Sequence, residues 1–292
     1  MDEPYKVEPA VTDRYIEVLG RGKLLKFSNI RLLNDDLKAR TEAIDRGEAS
    51  TQYLGVTDVP EAAFEGILRK RDSGYMVKSL RFTYDSPSKL LITKIPGSLH
   101  EIAHTSLSQE IGFELRSLGV GTDRYAWVGA TRFAGGPNSG RSKEADQAFL
   151  PSGRSCSNGD YPTFIIEVGV SESMSMLRAD AAFWLLNIGG GCRLVLVAAV
   201  NRDMRYIAFE LYQRGLVPGR ITRNNPNPPN RLEAVLAMPQ VVIQQAGALG
   251  PPSISIPLQV LFDVVPPGVT GNDVVLTAQL LRSIASRIWQ IA

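Results

Sequence analysis

The stretch that decides the fold is Phe164-Ile165-Ile166-Glu167-Val168-Gly169-Val170-Ser171. Its run of apolar and β-branched residues is typical of a buried strand. Because side chains alternate between the two faces of a strand, Glu167 shares a face with Ile165 and Gly169. A buried carboxylate is costly unless it is paired, hydrogen-bonded or bound to a metal ion. Glu167 is therefore the first candidate functional residue.

The segments around this strand predict an α/β core. Hydrophobic periodicity and Gly or Pro breaks indicate strands at 90–95, 125–130, 146–150, 163–170 and 194–200, and helices at 100–118 and 174–187. The order of these elements favours a central mixed β-sheet flanked by helices. In the tail, the pattern predicts strands at 241–243 and 254–264 and a helix at 273–291.

Three parts of the chain follow from this pattern. We expect an N-terminal extension at 1–85, the α/β core at 86–220 and a C-terminal extension packing on the core at 221–292. A Pro- and Asn-rich stretch at 220–231 reads as the linker between the last two parts.

Composition restricts the class of protein. The 292 residues are 44% hydrophobic and 21% charged, an ordinary globular balance, and the net charge of +2 neither supports nor excludes a nucleic-acid partner. Cys156 and Cys192 form no CxxC pair, so we expect reduced thiols and no cysteine zinc site. We find no signal peptide and no run of about 18 apolar residues. The expectation is an intracellular protein, cytoplasmic or nuclear, without a membrane partner.

A second carboxylate precedes Glu167. Asp146 lies 21 residues earlier (167 minus 146), on the preceding predicted strand. An antiparallel hairpin with a long loop brings the two residues side by side, and two converging carboxylates suit a hard cation such as Mg²⁺. The sequence therefore predicts a divalent-metal site at Asp146 and Glu167.

Three runs of residues resemble the motifs of the PD-(D/E)xK nuclease superfamily, most of all those of its largely uncharacterised members. The runs are Lys143-Glu144-Ala145-Asp146, then Phe164-Ile165-Ile166-Glu167-Val168-Gly169, then Leu177-Arg178-x-Asp180-Ala181 with Trp184. The family's motif consists, in order, of a Pro and a His at the start of the first helix, an acid on that helix, a strand Asp and a strand Glu. In this sequence these positions match Pro96, His100, Glu110 or Glu114, Asp146 and Glu167. The resemblance covers about residues 90–200.

This resemblance implies a restriction-endonuclease-like core and metal-dependent hydrolysis of DNA or RNA phosphodiesters. Asp146, Glu167 and Glu110 are then ligands of Mg²⁺ (or Mn²⁺), with Glu110 or Glu114 assisting from the helix. The implied partner is nucleic acid, DNA in preference to RNA, and a homodimer is left open.

One position departs from the family pattern. Gly169 stands where the family has a lysine, so we expect Lys143 or Arg178 to supply the missing cation. An arginine cannot serve as a general base, because it stays protonated. The alternative is a catalytically impaired nuclease-fold module that binds nucleic acid or protein.

Two further motifs suggest other chemistry. His100-Glu101-Ile102-Ala103-His104 is a literal HExxH, the pattern of a zinc metallopeptidase, and it contains both histidines of the chain. Gly135 to Ser142 reads GxxxxGRS, near a Walker A loop, but we predict a strand after it where a phosphate-binding loop requires a helix. We therefore interpret this segment as a loop.

Overall fold

A computed structural model describes residues 11–20, 23–48, 51–135, 139–187, 191–219, 223, 228–244, 247–249 and 253–291. Its α-helices are α1 Val11–Leu19, α2 Ile30–Asp45, α3 Glu61–Asp72, α4 Ser98–Ser117, α5 Met174–Asn187, α6 Leu258–Leu261 and α7 Ala278–Trp289. Its strands are β1 Leu25–Lys26, β2 Tyr53–Thr57, β3 Arg81–Asp85, β4 Leu90–Lys94, β5 Tyr125–Trp127, β6 Arg132–Ala134, β7 Arg141–Glu144, β8 Gln147–Pro151, β9 Phe164–Val170, β10 Leu194–Asn201, β11 Tyr206–Val217, β12 Arg231–Leu236, β13 Val241–Gln244, β14 Gly247–Leu249, β15 Ser253–Pro257 and β16 Asp273–Thr277.

The strands form two large sheets and a hairpin. The six-stranded sheet has the order β1-β2-β4-β3-β7-β6, and the eight-stranded sheet has the order β14-β13-β11-β10-β9-β8-β5, with β12 paired to β11. β9 and β10 run parallel, whereas their outer neighbours β8 and β11 run antiparallel to them. The predicted α/β class, with a central mixed sheet flanked by helices, is confirmed.

The apolar core has three parts, one between the two large sheets and one on the outer face of each sheet. The first lies between one face of the eight-stranded sheet and helices α4 and α7. The second lies around α5, between the opposite face of that sheet and the inner face of the six-stranded sheet. The third covers the outer face of the six-stranded sheet with α2 and α3. The middle part is the one that contains the candidate site.

Most predicted elements of the core are present. The helix at 174–187 has the predicted bounds, and the other core elements, including β9, differ from prediction by a few residues at their ends. The predicted strand at 125–130 ends at Trp127. A strand rather than a helix follows the Walker-like sequence, as predicted, but an unpredicted strand, β7, begins at Arg141, inside the segment interpreted as a loop. Gly136 to Asn138 lie outside the described residues.

Two predictions in the tail are wrong. Residues 273–277, predicted as helix, form β16, and the helix begins only after Thr277, whose hydroxyl accepts a hydrogen bond from Leu280 N as an N-cap. Val274 and Leu276 are buried on one face of this strand, so period-two burial overrides helical spacing there. The predicted strand at 254–264 ends at Pro257, where α6 begins.

The six-stranded sheet takes strands from both sides of residue 85, because β4 pairs with β2 and β3, β7 pairs with β3, and β6 pairs with β7. Strand pairing therefore joins the predicted N-terminal extension to the predicted core. Most of the predicted linker at 220–231 lies outside the described residues. Among the helices that the structure describes, none combines the length and apolarity needed to cross a membrane.

Candidate functional site

Asp146 and Glu167 meet at the junction of β8 and β9. The antiparallel register pairs Gln147 with Ile166 and Ala148 with Ile165. Continued by one residue, that register places Asp146 opposite Glu167, so both side chains point towards the middle core. The backbone N–H of Val168 donates a 2.8 Å hydrogen bond to Asp146 Oδ2, which fixes the carboxylate against the strand.

A lysine from the other sheet lies between the two carboxylates. Lys94 Nζ is 2.5 Å from Asp146 Oδ2 and 3.0 Å from Glu167 Oε2. Lys94 is the last residue of β4 and shares its face with Leu90 and Ile92, which belong to the middle core. All three charged groups are buried. The carboxylates therefore share one cation.

A second buried lysine extends this cluster. Lys143 Nζ on β7 donates to Asp180 Oδ1 at 2.6 Å and to Thr83 Oγ1 at 3.0 Å, and it lies 3.6 Å from Glu167 Oε1. Lys143 was one of the two cations expected to replace the family lysine, and the structure places it beside Glu167. We refer to Lys94, Lys143, Asp146, Glu167 and Asp180 as the buried charge cluster.

Neutral donors complete the hydrogen bonding of two of these acids. Tyr15 and Tyr53 donate their hydroxyl groups to Asp180 at 2.6 and 2.5 Å. Trp184 Nε1 donates to Glu167 Oε1 at 2.6 Å. Buried charges are tolerated when their oxygens are paired and hydrogen-bonded in this way.

The environment separates the acidities of Asp146 and Glu167. Burial raises the pKa of Glu167 to about 7, and although Lys143 and Lys94 oppose that shift, the neighbouring acids add to it. Burial also acts against ionisation of Asp146, but the charges of His100 and Lys94 overcome it and hold the pKa of Asp146 well below its usual range. Two carboxylates with divergent pKa values are typical of sites that perform acid and base chemistry.

His100 brings helix α4 to the same place. Its Nε2 lies 2.9 Å from Asp146 Oδ2, although the ring N–H is not aligned for a hydrogen bond. Burial lowers the pKa of His100, but Asp146 more than compensates, so this pKa is raised above its ordinary value. The family-like order of His100, Asp146 and Glu167 in sequence thus corresponds to neighbouring side chains in space.

Asp146 has a free acceptor in this arrangement. Its Oδ1 is buried and has no hydrogen-bond partner among the described residues. Buried polar atoms are normally satisfied, and an unpaired one calls for a water or an ion. An anionic oxygen beside a second carboxylate is the donor set that Mg²⁺ and Mn²⁺ prefer. The residues present therefore fit a divalent cation at Asp146 and Glu167.

Glu110 and Glu114, the two predicted helix acids, lie away from Asp146 and Glu167. Glu110 pairs with Arg287 on α7. It lies ten residues beyond His100, about 15 Å along the helix axis at 1.5 Å per residue. Glu114 is one turn further. The expectation that Glu110 completes the metal site, or that Glu114 assists it, is not supported by this placement.

Arg178 also points elsewhere. It forms a two-pronged ion pair with Glu210 on β11, at 2.9 and 2.6 Å, and its side chain is 50% exposed. Residue 178 is two positions before Asp180, so the helix turns these side chains in nearly opposite directions. Of the two predicted cations, Lys143 lies beside Glu167 and Arg178 does not, and the structure adds Lys94, which the sequence analysis did not single out.

Gly169 lacks the space for the family lysine. A Cβ added at Gly169 would lie 2.8 Å from Glu172 Cβ and 3.4 Å from a methyl group of Leu177. Glu172 is held there because it accepts hydrogen bonds from Thr51 Oγ1 and Gln52 N at 2.5 and 3.0 Å. The amines of the buried charge cluster come from Lys94 on β4 and Lys143 on β7.

The HExxH sequence does not have the geometry of a peptidase. Glu101 lies between the two imidazoles, 2.8 Å from His104 Nε2 and 3.8 Å from His100 Nδ1. Contacts with His100 and His104 hold the pKa of Glu101 well below its usual range, which makes this carboxylate a poor general base. The three side chains can nevertheless hold a metal ion, because their ligand atoms lie within 4.8 Å of one another.

A polar cleft of about 840 Å³ opens next to the buried charge cluster. Its lining includes Arg46, His100, Ser171 and Arg202, from the turn after α2, the start of α4 and the ends of β9 and β10. Gln52 also lines the cleft. The Gln52 side chain accepts from Val170 N at 2.9 Å and donates to Ile95 O at 3.3 Å.

The comparisons with known proteins add little. No known family model matches the chain, and no curated protein matches it either. Among solved structures, the chain is similar to a candidate nuclease of the DUF820 family from Anabaena variabilis, with 11% identity, 70% of this chain and 90% of that chain covered, and a TM-score of 0.36. A similarity at this TM-score does not indicate what the site does.

Proposed function

We propose that this protein is a metal-dependent nuclease that hydrolyses phosphodiester bonds, with DNA as the preferred substrate over RNA. The observation that carries the proposal is the convergence of Asp146 and Glu167 on Lys94 Nζ, at 2.5 and 3.0 Å. Two acids and a lysine at one point are the groups of the nuclease motif that the sequence resembles. Here the lysine comes from a different strand.

Each residue has a role in this proposal. Asp146, through its free Oδ1, and Glu167 hold Mg²⁺ or Mn²⁺. Bound there, the ion supplies polarisation of the phosphodiester and a water acidic enough to attack it. Lys94 stabilises negative charge that develops on the phosphate, and His100 keeps Asp146 ionised.

The cleft beside Gln52 is the proposed entry for the scissile phosphate. It is the large polar cavity next to His100, and its wall carries Arg46 and Arg202 together with the acids Asp45, Glu48 and Asp203. In this proposal the two arginines contact the phosphate, and Arg46 releases its 3.0 Å ion pair with Glu48. Because the carboxylates are buried, displacement of Gln52 is part of this proposal. A homodimer, which many DNA-cleaving enzymes use to reach both strands, stays a prediction.

The experiment is nicking of supercoiled plasmid with Mg²⁺ or Mn²⁺. We expect nicking by the wild type and a loss of at least about 100-fold in Asp146→Asn and Glu167→Gln. Arg178→Gln and Glu114→Gln are the matched controls, because these residues lie outside the cluster, and both should keep wild-type activity. Circular dichroism and thermal melting confirm that each variant is folded.

Binding of Mn²⁺, followed by electron paramagnetic resonance, separates the roles. We expect Asp146→Asn to lose the bound ion, whereas Lys94→Met keeps it and loses only nicking. Wild-type protein that nicks under neither metal, or Asp146→Asn that nicks as well as the wild type, would refute the proposal.

A second candidate is a nuclease-fold module that binds nucleic acid without cleaving it. The full burial of Asp146 and Glu167, together with their neutralisation by Lys94, favours this function. It predicts retarded DNA in a gel-shift assay and no nicking by any variant. Loss of binding in Arg46→Gln or Arg202→Gln, with no effect of Asp146→Asn, would support it.

A further inference from the structure

The first turns of α4 carry a second set of candidate metal ligands that the proposed nuclease chemistry does not use. His100, Glu101 and His104 offer an imidazole nitrogen, a carboxylate oxygen and a second imidazole nitrogen, all within 4.8 Å of one another. The spacing of zero, one and four residues places the three side chains on neighbouring parts of one helical turn.

The hydrogen bonding of both imidazoles is incomplete. His100 Nδ1, His100 Nε2 and His104 Nδ1 are buried and have no hydrogen-bond partner among the described residues. A neutral imidazole needs one acceptor and one donor, and a charged one needs two acceptors. Of these three, His100 Nε2 faces the Asp146 carboxylate, whereas His100 Nδ1 faces Glu101 without a hydrogen bond and therefore indicates a missing ligand on that side.

The orientation of the rings shows where the ion would lie. His100 Nδ1 faces Glu101 at 3.8 Å, and His104 Nε2 faces the same carboxylate at 2.8 Å. On the opposite edge, His100 Nε2 faces Asp146 Oδ2 at 2.9 Å. Metal-bound histidines usually direct their second nitrogen to a carboxylate, which fixes the tautomer and strengthens the metal bond.

We propose that His100 Nδ1, His104 Nε2 and the Glu101 carboxylate form a binding site for a transition-metal ion of the Zn²⁺ class, with Asp146 orienting His100 from behind. Imidazole ligands select Zn²⁺ and its neighbours over Mg²⁺, so this site is chemically distinct from the carboxylate pair. Glu101 acts in it as a ligand. With three protein ligands, the ion keeps an open position for water.

Solvent can reach this site through Glu101, whose side chain is 43% exposed. Arg81 Nη2 lies 3.4 Å from Glu101 Oε1 and competes with a cation for that oxygen. Removing the guanidinium should therefore tighten metal binding, an effect that a merely structural Arg81–Glu101 pair does not produce.

The experiment is titration of the full-length protein with Co²⁺, followed by its visible absorption, and then displacement by Zn²⁺. We expect one equivalent of Co²⁺ with the absorption of a low-coordinate site. Glu101→Gln and His104→Gln should each weaken binding by more than about 100-fold, and Arg81→Gln should strengthen it several-fold. Glu114→Gln, on the same helix but outside the site, is the control.

The Co²⁺ titration tests this metal site independently of the proposed nuclease activity, because it measures absorption and requires no DNA nicking. Asp146→Asn should abolish nicking but weaken Co²⁺ binding by only about 10–100-fold, as expected for a partner that contacts a ligand. Glu101→Gln, changed at a half-exposed residue, guards against an effect of misfolding. Wild-type protein without Co²⁺ absorption, or equal affinity in Glu101→Gln, overturns the proposal.

Discussion

Removal of the Lys94 amine is the sharpest test of the buried charge cluster. Lys94→Met keeps the length of the side chain but leaves Asp146 and Glu167 facing each other without their shared cation. Removing one partner from a buried ion pair destabilises a protein by about 3–5 kcal/mol. For a domain of this size, that loss lowers the Tm by on the order of 10 °C.

The loss should depend on pH in a defined direction. Without Lys94, the raised folded-state pKa of Glu167 rises further and the lowered pKa of Asp146 moves upward, because Lys94 no longer offsets burial and mutual repulsion. A group with a raised folded pKa loses its stabilising contribution as the pH rises through that value. The difference between wild type and Lys94→Met should therefore be larger at pH 8 than at pH 5.

Urea unfolding, followed by Trp fluorescence at both pH values, measures this difference. Lys38→Met, at an exposed position on α2, is the control and should change stability by less than about 0.5 kcal/mol. The double variant Lys94→Met with Asp146→Asn should recover part of the loss, because neutral partners remove the unpaired charge. A Lys94→Met loss no larger than that of Lys38→Met would show that the three groups are not coupled as described.

Three further predictions follow from the same contacts. Burial raises the folded-state pKa of Glu167 to about 7, above its unfolded-state pKa near 4.5, so the stabilisation of about 3 kcal/mol is complete below pH 4.5 and is lost as the pH rises to 7. Glu167→Gln should remove this pH dependence from the free energy of unfolding measured in urea between pH 5 and 8. An unchanged pH dependence contradicts the prediction. Gly169→Ala should lower the free energy of unfolding by about 1–3 kcal/mol, because the added Cβ overpacks against Glu172 and Leu177. A change near zero would show that these side chains move aside freely. Tyr53→Phe removes a hydrogen bond to the buried Asp180 carboxylate and should lower the free energy of unfolding by about 1.5–3 kcal/mol. The control Tyr75→Phe, at an exposed position, should leave stability almost unchanged. Equal melting temperatures for the two variants would contradict this prediction.

Local sequence patterns were sufficient for the core of the fold. β9 was predictable from its run of apolar and β-branched residues, whose side chains alternate between two buried faces, and α5 from its mainly apolar composition. The same alternation placed Glu167 on the face where Asp146 arrives. By contrast, the helix predicted from residue 273 is wrong, because the two consecutive valines in Asp273–Thr277 favour a strand once a partner strand is present.

The cations of the site were harder to predict, because they come from distant parts of the chain. Lys94 is 52 residues from Asp146 and 73 from Glu167, and it reaches them only because a second sheet packs over α5. A signal was nevertheless present in the sequence. Lys94 lies in the run Leu-Leu-Ile-Thr-Lys-Ile, and Asp180 lies in a helix that is otherwise almost entirely apolar. A charge in such a run requires a buried partner.

The cleavage and binding hypotheses differ in one physical question, namely whether the buried acids can become accessible. The side chain of Gln52 lines the polar cleft and forms two hydrogen bonds to backbone atoms. At about 0.5–1.5 kcal/mol each, their loss places an open state about 1–3 kcal/mol above the closed one. A minor state at that energy is populated on the order of 1–10% of the time. In the cleavage hypothesis, the divalent ion would be held by Glu167 and by Asp146 Oδ1, which has no hydrogen-bond partner among the described residues. The cleavage hypothesis therefore predicts a local rearrangement of Gln52 that leaves the two sheets intact.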